Sequence, residues 1–243
     1  MLTLDGVVSG YGKMTILNGT TAHIRKAKIT TVIGPNGAGK STVFKTVFGL
    51  LHVRSGRIVF DGRETTNWTP RQMLDTGMCY VPQGRNIFPE LSVRHNLELG
   101  GVALSDQSGL PDRIEAMMQR FPMLREKAGA QASTLSGGQQ KLLEVARGLL
   151  LEPKLILIDE PSIGLSPLMV QEVFGILKGL RDQGVTILLI EQNAKLALQM
   201  SDYGLVLEQG QTRIEDTAPR ILADARVAQL FLGGGLIALE HVS

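Results

Sequence analysis

The stretch Gly34-Pro35-Asn36-Gly37-Ala38-Gly39-Lys40-Ser41 constrains this chain more than any other. It matches G-x-x-x-x-G-K-[ST], a pattern whose meaning depends on what surrounds it. Ile29–Ile33 before it is a short apolar run that stops at a glycine, as a buried strand does. Lys40–Leu50 after it reads as a helix carrying Val43, Phe44, Val47 and Phe48 on one side. In that setting the glycines permit a tight loop whose N–H groups point inward at phosphate oxygens. The following helix directs its positive end at the same anion. Lys40 offers a point charge to β- and γ-phosphates, and the Ser41 hydroxyl suits Mg²⁺, a hard cation that prefers oxygen. Gly34, Pro35, Asn36, Gly37, Ala38, Gly39, Lys40, Ser41 and Thr42 therefore form the expected phosphate cradle.

A second feature fits the first. Leu155-Ile156-Leu157-Ile158-Asp159-Glu160 is an apolar run that ends in two carboxylates. A strand buried on both faces reads this way, and ligands of parallel sheets lie beyond the carboxyl ends of their strands. Asp159 is placed to hold a metal, through water, and Glu160 to polarise an attacking water as general base.

The remaining pattern gives the fold class. Leu2–Val8, Thr20–Ile24 and Arg57–Phe60 read as strands of an N-terminal β region. From about Ser92 to Ala132 the pattern turns helical, with Val93–Leu99 and Asp112–Arg120 as its helices. After Ser136 the expected order is helix Gln139–Leu150, strand Leu155–Ile158, helix Leu168–Arg181, strand Val185–Ile190 and helix Ala194–Met200. Such alternation implies an α/β fold with parallel strands and right-handed crossovers. Tyr203–Glu208 and Gln211–Glu215 flank Gln209-Gly210 as a closing hairpin, and Gly233-Gly234-Gly235 is expected to end the ordered fold.

Composition excludes several classes. A formal charge of +2 on 243 residues makes no case for nucleic acid. One cysteine, Cys79, excludes an intrachain disulfide framework and suits a reducing compartment. No apolar run nears the roughly 18 residues of a membrane span, and Met1–Asp5 lacks the features of a signal peptide. A cytoplasmic chain is expected, held at a membrane only through something else.

Leu135-Ser136-Gly137-Gly138-Gln139 opens the helix before the acidic strand. Ser136 suits an N-cap, and the two glycines bare backbone N–H groups. One bound nucleotide needs no second helix-end anion site, so this one is economically explained as serving the nucleotide of another copy.

With these motifs the chain resembles the ATP-binding-cassette ATPases from Leu2 to about Gly235. Tyr11, the phosphate loop, Gln83, the Leu135–Gln139 signature, Asp159-Glu160 and the loop Ser162–Ser166 occur in the family's order. The resemblance implies a P-loop NTPase core with a mainly parallel sheet, an N-terminal antiparallel β subdomain and a helical subdomain inserted at about 84–150. Residues 1–235 would form the single domain and 236–243 a tail. It also implies a head-to-tail dimer around two ATP molecules. Tyr11 would stack on adenine; Gln83 would reach Mg²⁺ and the attacking water; Ser136, Gly137, Gly138 and Gln139 would meet the γ-phosphate from the opposite subunit. Finer phrases resemble branched-chain amino-acid transporter subunits of the LivF type: Tyr11-Gly12-Lys13, Pro82-Gln83-Gly84-Arg85, Asn96-Leu97, Glu160–Pro167, Glu191-Gln192-Asn193-Ala194 and Leu232-Gly233-Gly234. ATPases for urea, amides and lipopolysaccharide export share several of them. A soluble ATPase of cofactor assembly is a further alternative. The absence of a heptad tract, the single set of motifs and the signature argue against repair members, translation members and small-molecule kinases respectively.

The resemblance further implies membrane permease partners, a second ATPase subunit (a copy or a paralogue), and indirectly a periplasmic binding protein. The chain would then sit on the inner face of the membrane. A short permease helix is expected between the loop at about Gln83–Glu90 and the helical insertion, against Phe88 and Leu91. Two positions depart from the family's usual pattern. Gln192 stands where most members place a histidine near the γ-phosphate, and Ser166 stands where many have aspartate.

Overall fold

The structure, a computed structural model, describes residues 1–84, 86–104 and 106–227. Arg85, His241, the Leu232–Gly235 phrase and the expected tail at 236–243 lie outside the described residues.

The chain opens with β1 (Leu2–Tyr11), β2 (Met14–Ile24) and β3 (Ile29–Ile33), then α1 (Lys40–Val47), β4 (Val53–Phe60), β5 (Arg63–Glu64), α2 (Pro70–Asp75) and β6 (Met78–Val81). Four helices follow: α3 (Val93–Gly100), α4 (Leu110–Arg120), α5 (Pro122–Glu126) and α6 (Gly137–Leu149). The last part runs β7 (Leu155–Asp159), α7 (Pro167–Asp182), β8 (Thr186–Ile190), α8 (Ala194–Met200), β9 (Tyr203–Glu208), β10 (Gln211–Thr217) and α9 (Ala218–Ala223).

Two sheets result. The antiparallel sheet has the order β2-β1-β4-β5, and the larger one the order β10-β9-β3-β8-β7-β6. In the larger sheet β9, β3, β8, β7 and β6 are parallel, and β10 pairs antiparallel at the edge. The expected fold class holds.

Alternation along the parallel strands divides the core. Leu155 and Leu157 of β7 face one side, with Leu188 of β8, and pack on α1 and the antiparallel sheet. Ile156 and Ile158 face the other, with Ile187 and Leu189, and pack on the helices α3 to α7. Phe44 of α1, fully buried, meets the edge of the Tyr80 ring at 6.1 Å and so ties α1 to β6.

Several expected bounds shift for local reasons. The strands at Thr20–Ile24 and Arg57–Phe60 begin earlier, at Met14 and Val53, because β2 pairs along the whole of β1 and β4 pairs with it from Leu2 to Ser9. The helix expected from Gln139 begins at Gly137, since Ser136 is its N-cap. The helix expected to Leu50 stops at Val47, and Gly49 beyond it has φ +82°. The strand β6 and the helix α2 lie in a stretch for which the sequence pattern made no assignment.

Removing the Phe44 ring leaves a void between the two sheets. Phe44→Ala is expected to lower stability by about 3–5 kcal/mol. Urea unfolding checks this; a loss below about 1 kcal/mol would mean that the two sheets do not share one core around α1.

Candidate functional site

The four strands β3, β8, β7 and β6 are adjacent and parallel, so their carboxyl ends open on one edge. Register keeps those ends level: Val32 and Asp159 both pair with Ile190. The phosphate loop leaves β3, Gln192 follows β8, Asp159 ends β7 with Glu160 next after it, and Gln83 follows β6. Sheet topology thus gathers motifs that lie over 150 residues apart in the chain.

Backbone geometry explains the glycines. Gly34 has φ +154°, and a Cβ there would overlap the Leu207 carbonyl oxygen. Gly39 is left-handed, φ 102°, and is the N-cap of α1 with no side chain capping the helix. The first N–H groups of α1 at Lys40, Ser41 and Thr42 are thereby left for an anion. Ala38 N–H closes the loop on the Pro35 carbonyl at 3.1 Å, and the Ala38 carbonyl accepts from Gly210 N–H at 2.9 Å. Pro35, Asn36 and Gly37 are exposed at the tip. Lys40 Nζ donates to the Gly34 and Pro35 carbonyls at 2.8 and 3.0 Å, spanning the loop that it would share with a phosphate. Partial burial lowers the Lys40 pKa, while Glu160 and Asp159 oppose the shift.

The two carboxylates differ. Asp159 is buried, and one of its oxygens, Oδ1, has no hydrogen-bond partner. Burial raises its pKa, opposed by the Ser41 hydroxyl, Lys45, Lys40 and the Tyr80 hydroxyl. An orphaned buried carboxylate oxygen beside a serine hydroxyl at a phosphate loop fits a divalent cation bound through oxygen, water and phosphate. No group of three His, Cys, Asp or Glu side chains clusters among the described residues, so a self-sufficient protein cage is absent there. Glu160 is instead reachable by solvent. It has a left-handed backbone, φ 48°, which costs about 1 kcal/mol for a residue with a Cβ. Its N–H donates to the Ile190 carbonyl at 2.9 Å, and its carboxylate accepts from Gln83 Nε2 at 2.6 Å. The loop amide and the proposed base therefore meet directly.

The other expected residues fall as follows. Tyr11 is exposed at the end of β1, with the Lys45 ammonium 5.6 Å from its ring. Gln192 is exposed at the end of β8. Ser136 caps α6: its hydroxyl accepts from Gln139 N–H, and Gln139 Oε1 accepts from Ser136 N–H at 3.0 Å. The Gln139 side chain is thus engaged by its own helix end. Gly137 borders a hollow of about 290 Å³ with Gly84, Ile163, Gly164 and Leu165, whereas the phosphate loop has Ile16, Leu17 and Leu207 as neighbours. Ser166 is the N-cap of α7, its hydroxyl accepting from Met169 N–H.

Two site residues escaped the sequence reading. Tyr80 packs on Phe44 and Phe48 and faces Asp159; the short run Met78–Val81 ahead of Pro82 was the available signal. Glu191 is buried and accepts from Ser162 N–H at 2.9 Å and Ser162 Oγ at 2.7 Å. Burial raises its pKa, opposed by those donors. Its signal was a carboxylate directly after an all-apolar strand.

The site agrees with comparisons to known proteins. The model of the ABC transporter family matches residues 9–163. The high-affinity branched-chain amino acid transport ATP-binding protein BraG of Pseudomonas aeruginosa is 38% identical, over 96% of this chain and 100% of that protein. A probable branched-chain amino acid transport ATP-binding protein, LivF of Archaeoglobus fulgidus, is also 38% identical, over 96% and 99%. The lipopolysaccharide export system ATP-binding protein LptB of Escherichia coli is 31% identical over 96% and 97%. Among solved structures, a nucleotide-free ATP-binding cassette from an ABC transporter superposes with a TM-score of 0.85 at 28% identity, covering 96% of this chain and 99% of the other. The ADP conformation of such a cassette gives the same TM-score and identity. The chain belongs to the ABC transporter family and is its ATP-binding, ATP-hydrolysing cassette subunit.

Proposed function

We propose that this subunit powers uptake of branched-chain amino acids through a membrane permease, working as one half of a head-to-tail ATPase dimer. The relatives named above support the cargo. The observation that carries the chemistry is the 2.6 Å bond between Gln83 and Glu160 beside the phosphate loop.

In this reading Tyr11 stacks on adenine. The loop N–H groups of Gly34–Ser41, the Thr42 N–H and the Lys40 ammonium bind the phosphates. Ser41, Asp159 and Gln83 hold Mg²⁺, which supplies charge neutralisation at the phosphate oxygens when bound. Gln83 orients a water, and Glu160 accepts its proton. The water oxygen forms a bond to the γ-phosphorus as the bond to the bridging oxygen breaks, and ADP and phosphate leave. Gln192 donates a hydrogen bond to the γ-phosphate. Ser136, Gly137, Gly138 and Gln139 meet that phosphate from the opposite subunit, which is a copy or a paralogue. Closure of the dimer completes the pocket and hydrolysis reopens it, so ATP has different affinities for the two arrangements.

The permease would dock in the hollow of about 320 Å³ lined by Phe48, Leu74, Tyr80, Asn86, Leu99 and Arg147, with exposed Phe88 beside it. No helix among the described residues is long and apolar enough to cross a membrane. In this reading the permease holds the chain at the inner face, and a periplasmic binding protein delivers the cargo. The helical part from about 84 to 150 and the strands around it act as two subdomains of one domain.

Three outcomes are expected. Glu160→Gln should lower kcat by about 100-fold or more and give an ATP-bound dimer on gel filtration; a monomer hydrolysing at the wild-type rate would remove Glu160 from its role. The wild-type pH–rate profile should lack a histidine limb, because an amide does not titrate, and Gln192→His should introduce one near pH 6–7. Identical profiles would show that residue 192 does not touch the reacting phosphate. Deleting the chain in its host should abolish uptake of labelled leucine, isoleucine and valine, restored by wild type and not by Lys40→Ala. Intact uptake with failed lipopolysaccharide export would overturn the cargo and leave the ATPase chemistry standing.

A further inference from the structure

Lys141, Glu144 and Arg147 recur every three residues on α6, so they share one face of the helix. All three reach the same short loop. Lys141 Nζ donates to the Gly84 carbonyl at 3.0 Å and to Glu144 Oε2 at 2.5 Å. Glu144 Oε1 accepts the Asn86 N–H at 2.6 Å. The Arg147 guanidinium donates to the Asn86 carbonyl at 2.5 Å and lies 5.2 Å from the centre of the Phe88 ring. The Lys141 and Glu144 side chains are 7% and 3% exposed, the most deeply buried ion pair among the described residues.

A buried ion pair is costly, and an apolar pair of similar volume is often the more stable choice. The neighbouring residues Leu142, Leu143, Val145 and Ala146 are apolar and belong to the core, so packing alone does not call for charge here. The charges find their use in the loop. Gly84 offers a carbonyl and needs a donor; Asn86 offers an N–H and needs an acceptor. The order of lysine and glutamate along α6 matches that order of loop groups. Gln83, whose amide holds Glu160, immediately precedes Gly84.

We propose that Lys141 and Glu144 are positioning residues. They hold the backbone at Gly84 and Asn86 so that Gln83 stays on Glu160, and they make this loop move as one body with α6, the helix that begins at Ser136. Whatever shifts the Ser136 end therefore shifts Gln83. The proposal rests on the roles given above to Gln83 and Glu160.

Polarity supplies the test. Exchanging the two residues, Lys141→Glu with Glu144→Lys, keeps an ion pair but sets acceptor against acceptor at Gly84 and donor against donor at Asn86. A second double variant, Lys141→Met with Glu144→Leu, removes the tether and leaves no buried charge, so it carries the test if the exchange variant does not fold. Gln83→Ala runs alongside. Steady-state ATPase, thermal unfolding and amide hydrogen exchange at Asn86 are measured on the full chain. In the apolar double variant the thermal midpoint is expected to stay near wild type. Asn86 exchange should rise about tenfold or more, and kcat should fall about tenfold or more towards that of Gln83→Ala, with the KM for ATP within about twofold. Wild-type kcat in the apolar double variant, with Gln83→Ala crippled, would overturn the tether alone. Wild-type kcat in Gln83→Ala would overturn the role of Gln83 beneath it. Unfolding of both double variants, or a fall in kcat that tracks a lost thermal midpoint, would make the pair a structural device and overturn the proposal.

Discussion

Parallel pairing of β3, β8, β7 and β6 with level carboxyl ends is the constraint on which the site depends. A strand slipped by one residue would turn its core side chains to the opposite face, so burial on both faces fixes the register strongly. That register sets Asp159 level with the root of the phosphate loop, across Ile190. It also lets the Ile190 carbonyl accept the Glu160 N–H, which steadies Glu160 in a left-handed backbone. The hydrophobic core thus does more than stabilise. It supplies the rigid edge from which polar groups are aimed.

Those polar groups are held under tension. Burial raises the pKa of Asp159 and Glu191 and lowers that of Lys40. Burial disfavours the charged form of each; both Glu191 oxygens are taken by Ser162, whereas Lys40 and Asp159 have only part of their hydrogen-bonding capacity used. Lys40 lies on its own loop carbonyls; Asp159 keeps one oxygen unpartnered. Such groups gain most from a ligand of complementary charge, because the cost of removing them from water has been met by the fold. A nucleotide phosphate with its cation is the ligand that complements both signs at once.

The sequence disclosed whatever local chemistry dictates. The glycine pattern around Lys40, the apolar run into Asp159-Glu160 and the alternation of helix and strand all follow from conformational rules that act within a few residues. What escaped it acts across the chain. β6 is four residues long, and its pairing with β7 rather than any period makes it a strand. Gln83 could be placed only by its order among motifs; that its amide meets Glu160, 77 residues on, depends on β6 being the neighbour of β7. Nothing in Lys141 or Glu144 alone says that Gly84 and Asn86 lie against them.

The ends of α1 and α6 differ in a way that bears on how the proposed dimer opens and closes. At α1 no side chain caps the helix, so its first N–H groups and its dipole act fully on an anion. At α6 a capping box occupies the Ser136 and Gln139 backbone N–H groups, which leaves the two glycine N–H groups, the Ser136 hydroxyl proton and the Gln139 side-chain amide for a phosphate. A phosphate gains less at an end that is already half satisfied. In the proposed arrangement the nucleotide is therefore held firmly by its own subunit and lightly by the opposite one. Losing the γ-phosphate would then release the α6 contact first and leave ADP on the phosphate loop. That asymmetry favours a cycle of closure and reopening, because what drives such a cycle is the difference between ATP and ADP in their affinity for the closed arrangement.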